Sequence, residues 1–146
     1  MNLTTRHLRS MALVVASIGA MAVAGGSASA AGAIPLNGGQ EAPAPQNHGA
    51  RGWFSYEVSG TQLCYTLSVS GLSAPAAAAH VHVGPRNTPG PVVVPLMVEN
   101  TTTFETAGCA VVEASLLEAI EEDPRAYYVN VHTPTNPAGE IRGQLK

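Results

Sequence analysis

Between Arg51 and Ser70 the apolar residues fall on every second position, twice over, with a turn signal in the middle. Phe54, Tyr56 and Val58 alternate with Trp53, Ser55 and Glu57. After Ser59-Gly60, Leu63, Tyr65, Leu67 and Val69 alternate with Cys64, Thr66 and Ser68. A period of two belongs to a strand with one face on a core and one in water. Two such runs joined by a short Gly-containing turn read as a β-hairpin. This pattern excludes a helical bundle for the centre of the chain.

The flanking segments extend the same reading. Ile34-Pro35-Leu36 is expected to be a short edge strand, where proline is tolerated. Ala76 to Val83 begins a small-residue strand, and Gly84 to Pro91 is dense in breakers and forms a loop. Val92 to Val98 is β-branched, and Pro95 within it marks an edge or a bulge. One helix is expected, because Ser115 and Glu118 have capping-box spacing ahead of Leu116, Leu117 and Ile120. Pro124 ends it by driving Asp123 out of helical geometry. Tyr127 to His132 and Gly139 to Leu145 are further strands, separated by a loop at Pro134 and Pro137. About seven short strands and one short helix predict an all-β, Greek-key-like antiparallel β-sandwich.

The first thirty residues are expected to lie outside this fold. Arg6 and Arg9 precede an apolar run from Met11 to Gly25, and Ala28-Ser29-Ala30 is a small-residue cleavage site. That is the layout of a secretory signal peptide, leaving a single domain over 31–146 and no stable membrane anchor after cleavage. The domain then carries five basic and ten acidic side chains, a net charge of −5. It offers no basic stripe for nucleic acid and no polybasic patch for anionic lipid. Its two cysteines, Cys64 and Cys109, are expected to form a disulfide, since export favours oxidation over free thiols.

Histidine carries the chemistry. His80 and His82 are two apart on one strand and so share a face, and His132 closes the strand Tyr128-Val129-Asn130-Val131-His132. Three neutral imidazoles suit copper or zinc, with Asn130, Glu140, Arg142 and Gln144 as candidates to orient them. The same residues could instead form a buried hydrogen-bonded network that specifies strand register. Glu140 and Arg142 are expected to pair with each other or across strands. Trp53, Phe54, Tyr56 and Tyr65 are read as core or cross-strand pairs, with an exposed aromatic patch for a glycan or protein as the alternative. No Gly-x-Ser-x-Gly elbow or phosphate-binding glycine loop is present.

Taken together, Leu36-Asn37-Gly38-Gly39-Gln40-Glu41-Ala42-Pro43, Ala79-His80-Val81-His82-Val83-Gly84, Gly90 to Leu96, Tyr128 to Thr133 and Gly139-Glu140-Ile141-Arg142-Gly143-Gln144-Leu145 resemble the CHRD domain, over about residues 34 to 146. The resemblance implies a secreted β-rich module, extracellular or in the cell envelope, and says little about its biochemical role. The His-x-His strand is also similar to the copper strand of Cu,Zn superoxide dismutases. Those enzymes use four histidines and a catalytic arginine. Here three histidines can be placed and no matching arginine motif, so the activity is not carried over. Three functions follow as expectations. The first is a non-catalytic binding module holding copper or zinc. The second is a metal-free structural or adhesive module for an extracellular protein or glycan. The third is a copper redox enzyme.

Overall fold

The computed structural model describes residues 32–46 and 49–146. The expected signal segment, residues 1–30, and His48 lie outside the described residues. Eight strands form one antiparallel sheet: β1 (Ile34–Asn37), β2 (Arg51–Ser59), β3 (Gln62–Ser70), β4 (Ala78–Val83), β5 (Val92–Leu96), β6 (Phe104–Val111), β7 (Tyr127–Thr133) and β8 (Asn136–Gln144). Their order across the sheet is β5-β4-β7-β8-β1-β2-β3-β6. The chain crosses from one end of the sheet to the other between β5 and β6, and back between β6 and β7. The sheet also folds over, so its end strands β5 and β6 come together, and just past β5 the Met97 N–H donates to the hydroxyl of Tyr65 on β3 at 2.7 Å. The result is an all-β sandwich verging on a barrel.

The hairpin read from the alternation is β2–β3, with Phe54 opposite Leu67 and Tyr56 opposite Tyr65. Phe54, Leu63 and Leu67 are fully buried. Phe54 stacks against both Tyr56 and Tyr65, with ring centroids 6.0 and 5.9 Å away. Trp53 belongs to the other face and is 54% exposed, so it is not a core residue. From the other half, Val81, Val129, Val131 and Ile141 meet these side chains in the common core.

Four local expectations change. β1 is an interior strand, between β2 and β8, and not an edge. Its ladder to β8 is only the Asn37–Arg142 pair, so a proline that cannot donate is tolerated there. β6 went unforeseen, because Glu105-Thr106-Ala107-Gly108-Cys109-Ala110 is too small and polar to show apolar alternation. The helix, α1 (Ala114–Glu122), begins one residue ahead of Ser115, and no side chain caps it. Ser115 therefore lies inside the first turn, and the capping box does not form. Leu117 and Ile120 still face the core. Finally, β8 starts at Asn136, so the turn after β7 is only Pro134-Thr135 and Pro137 lies within the strand. Pro95 does lie on the end strand β5, whose register with β4 shifts between Val81 and His82.

Candidate metal centre

Three adjacent strands build the site. His80 of β4 is opposite Asn130 of β7, which is opposite Arg142 of β8. His82 is opposite Tyr128, which is opposite Gln144. Ala78 is opposite His132. Alternation sends Val81, Val129, Val131 and Ile141 to the core and this polar set to the opposite face.

That face is not left to water, because the loop between β4 and β5 folds over it. Pro85, Pro89 and Pro91 remove N–H groups from this loop, and donors from the sheet take up its carbonyls. Arg142 donates to the Thr88 and Pro85 carbonyls at 3.0 and 2.8 Å. Gln144 donates to the Gly84 carbonyl at 2.8 Å. The Gly90 N–H donates to the Tyr128 hydroxyl at 3.0 Å. Gly90 must be glycine, since a Cβ there would collide with the Val83 carbonyl. The Arg142 guanidinium also lies 3.3 Å from the centre of the Tyr128 ring, a cation–π contact in a desolvated setting.

His80, His82 and His132 converge, each offering a nitrogen within 4.8 Å of the other two. A carbonyl can only accept, so two tautomers are determined. His82 donates its Nδ1–H to the Gly90 carbonyl at 2.8 Å. His132 donates its Nδ1–H to the Pro137 carbonyl at 3.0 Å. In each neutral ring this leaves Nε2 with a free lone pair. The His132 Nε2 is 3.1 Å from the His80 Nδ1, while the His82 Nε2 is buried with no partner. The His82 ring stacks nearly parallel on Tyr128, with centroids 4.8 Å apart. Burial, helped by the neighbouring His80 and His82 and opposed by the Pro137 hydrogen bond, pushes the His132 pKa down to about 4. Burial and the nearby His82 also lower that of His80. Both are therefore neutral at neutral pH and available as donors.

The residues expected to orient the imidazoles stand elsewhere. The groups that orient them are the backbone carbonyls of Gly90 and Pro137, which no side-chain pattern announces. Glu140 accepts from the Ser73 N–H, the Ser73 and Thr133 hydroxyls and the Asn136 amide at 2.7–3.1 Å. Burial alone would raise its pKa, but these donors hold it below the usual carboxylate range. It thus fastens the segment at Ser73 to the β7–β8 hairpin. The carboxylate facing Arg142 is instead Glu41, which the sequence reading assigned no role. Burial raises its pKa to about 7 against the opposing influence of Arg142 and Asn130. The backbone of Gly139, at φ +131°, makes room for that carboxylate, and a Cβ there would strike it. Burial lowers the Arg142 pKa, with Arg86 adding to the effect against Tyr128 and Glu41. Glu41 did leave a signal: it is the only acidic residue between Ala31 and Tyr56.

Cys64 and Cys109 are directly opposite on β3 and β6 and form the expected disulfide, with Cα atoms 3.9 Å apart. The bond fits an oxidising compartment. No described helix is long and apolar enough to cross a membrane.

No curated protein and no solved structure matches the chain. It does match the CHRD domain over residues 33–145, and it belongs to that family.

Proposed function

We propose that this CHRD-domain chain is an exported, non-catalytic binding module whose His80, His82 and His132 hold one copper or zinc ion. The observation that carries the reading is a buried, unpartnered Nε2 on His82, one of three imidazoles whose nitrogens lie within 4.8 Å of one another. A buried polar atom without a partner is unusual and calls for one. An all-imidazole donor set suits Cu(II) or Zn(II), and three ligands leave one position for water or a partner group. Ligand bonds of about 2.0–2.1 Å place such nitrogens roughly 3–4 Å apart. The 3.1 Å between His80 and His132 meets this, and the 4.8 Å limit on the trio asks for a movement of about an ångström. The carbonyls of Gly90 and Pro137 supply the orienting hydrogen bonds that ligating histidines ordinarily have.

The His80–His132 hydrogen bond favours a second reading, in which the histidines are a metal-free network and the module binds an extracellular protein or glycan through its loops. Calorimetric titration of the purified protein with Zn(II) and with Cu(II) separates the two. The metal reading expects one equivalent bound more tightly than about 1 µM, weakened at least tenfold in both His80→Ala and His132→Ala. Absence of stoichiometric binding overturns it. Equal binding by both variants shows that the ligands are wrongly assigned.

A further inference from the structure

Residues 31–146 carry twice as many acidic as basic side chains, yet three of their five cations, Arg86, Arg125 and Lys146, line one cavity of about 520 Å³. Excess carboxylates should leave cations paired. Yet none of these three makes an ion pair with a described residue, and among the described residues the only hydrogen bond of their side chains is a 3.5 Å approach of Arg86 to the Gln40 amide oxygen. Ile34 and Leu145, both buried, form the apolar floor. The cavity's size is that of a small-molecule site.

The cavity is also built in advance. Arg86 lies between Pro85 and Thr88, whose carbonyls are held by Arg142. Arg125 lies in the turn Pro124–Ala126, and its carbonyl accepts from Gln144 at 2.7 Å. Two side chains of one strand, β8, thus fix the segments carrying two of the three charges, which lowers the cost of ordering them around a ligand. Gln144 adds a requirement of its own. Its amide nitrogen is committed to the Gly84 and Arg125 carbonyls, which settles its orientation, and its Oε1 is buried with no donor. Three cations with no ionic partner among the described residues call for a polyanionic group with several oxygens. A vacant buried acceptor on the same lining calls for a hydroxyl.

We propose that this cavity binds a phosphate or sulfate ester of a small sugar or polyol, the cations taking the oxyanion and Gln144 a ring or chain hydroxyl. The site is separate from the histidine cluster and does not depend on metal there. The test is an NMR titration of the purified protein with a chelator present, so that phosphate cannot report through a metal. The probes are glucose 6-phosphate, glucose 6-sulfate, inorganic phosphate, inorganic sulfate and glucose. We expect saturable shifts in the Gln144 side-chain amide and in Arg125 and Lys146 with either ester, weaker shifts with the bare anions and none with glucose. We expect Arg125→Gln and Arg86→Gln each to weaken ester binding about tenfold or more, while Arg51→Gln on β2 leaves it unchanged. Inorganic anions binding as tightly as the esters would remove the sugar from the proposal. Equal losses in Arg51→Gln and Arg125→Gln, or no saturation by any probe, would overturn the site.

Discussion

The two halves of the sheet solve opposite problems. In β2, β3 and β6 one face packs on the core and the other meets water, so every side chain has an obvious place and no buried polar residue occurs on these strands. In β4, β7 and β8 both faces are covered, one by the core and the other by the Gly84–Pro91 loop and the segment at Ser73. His82, Asn130, Thr133, Asn136, Glu140 and Arg142 are buried there, and Glu41 is buried against them. A buried polar group must find a partner or pay several times the value of an ordinary hydrogen bond. The first half can therefore be stable on area alone, while the second is stable only as a satisfied network. What the contrast teaches is that the site is the part of the fold where burial and polarity conflict. The unpartnered His82 Nε2, Glu41 Oε1, Asn130 Oδ1 and Arg142 Nε all lie in that half.

The largest expected effect belongs to the plain half. The Cys64–Cys109 bond closes a loop of 45 positions, for which chain entropy gives about 4 kcal/mol of stabilisation. Replacing both cysteines by serine should lower the thermal midpoint by more than about 10 °C. Affinity for Zn(II) at 20 °C should stay the same wherever the protein is still folded. Loss of metal affinity in the folded double variant would mean the halves are not separable.

Arg142→Met attacks the other half. It removes two charge-assisted hydrogen bonds to the loop, the contact over Tyr128 and the positive neighbour of Glu41, and should cost about 3 kcal/mol in urea denaturation. Because the same loop supplies the Gly90 carbonyl to His82, Zn(II) affinity should fall as well. A variant as stable as the wild type would show that the loop is held by packing, and that the polar network contributes little.

How legible each half was in the sequence follows from the same contrast. The β2–β3 hairpin showed itself because one wet face writes an alternating pattern. β6 did not, because after Phe104 its inward positions Thr106, Gly108 and Ala110 are no more apolar than the exposed Ala107 and Val111, and only Cys109 marks it. On β4 and β7 the sequence does bring His80, His82 and His132 onto one face, since a period of two decides sides without knowledge of neighbours. It could not disclose that a proline-rich loop returns over that face. For that reason it missed the Gly90 and Pro137 carbonyls, gave Tyr128 no part beside His82, and paired Arg142 with its strand neighbour Glu140. Glu41 is about a hundred positions from Arg142 in the chain. Only the interior placement of β1, itself mistaken for an edge, brings the two together.

The smallest effect is a pH dependence that isolates Glu41. Its folded pKa is about 7 against 4.5 for the free group, raised by burial. Between those values the folded state holds more protons than the unfolded one, so this group's contribution is complete below pH 4.5 and is lost as pH rises to 7. His132 works the other way. Its folded pKa is about 4 against 6.5, so the unfolded state binds more protons in that window and stability falls as pH drops through it. Over pH 4.5 to 6.5 the two slopes oppose each other and the wild type should be nearly flat in this respect. Glu41→Gln removes one slope and exposes the other. The variant's stability relative to wild type should therefore climb with pH from 4.5 to 7, by about 2 kcal/mol, in urea denaturation at matched ionic strength. A difference that stays constant across the window would mean that Glu41 is ionised throughout. The polar half would then hold a buried ion pair with Arg142, and the network would be a matched set of charges instead of a strained one.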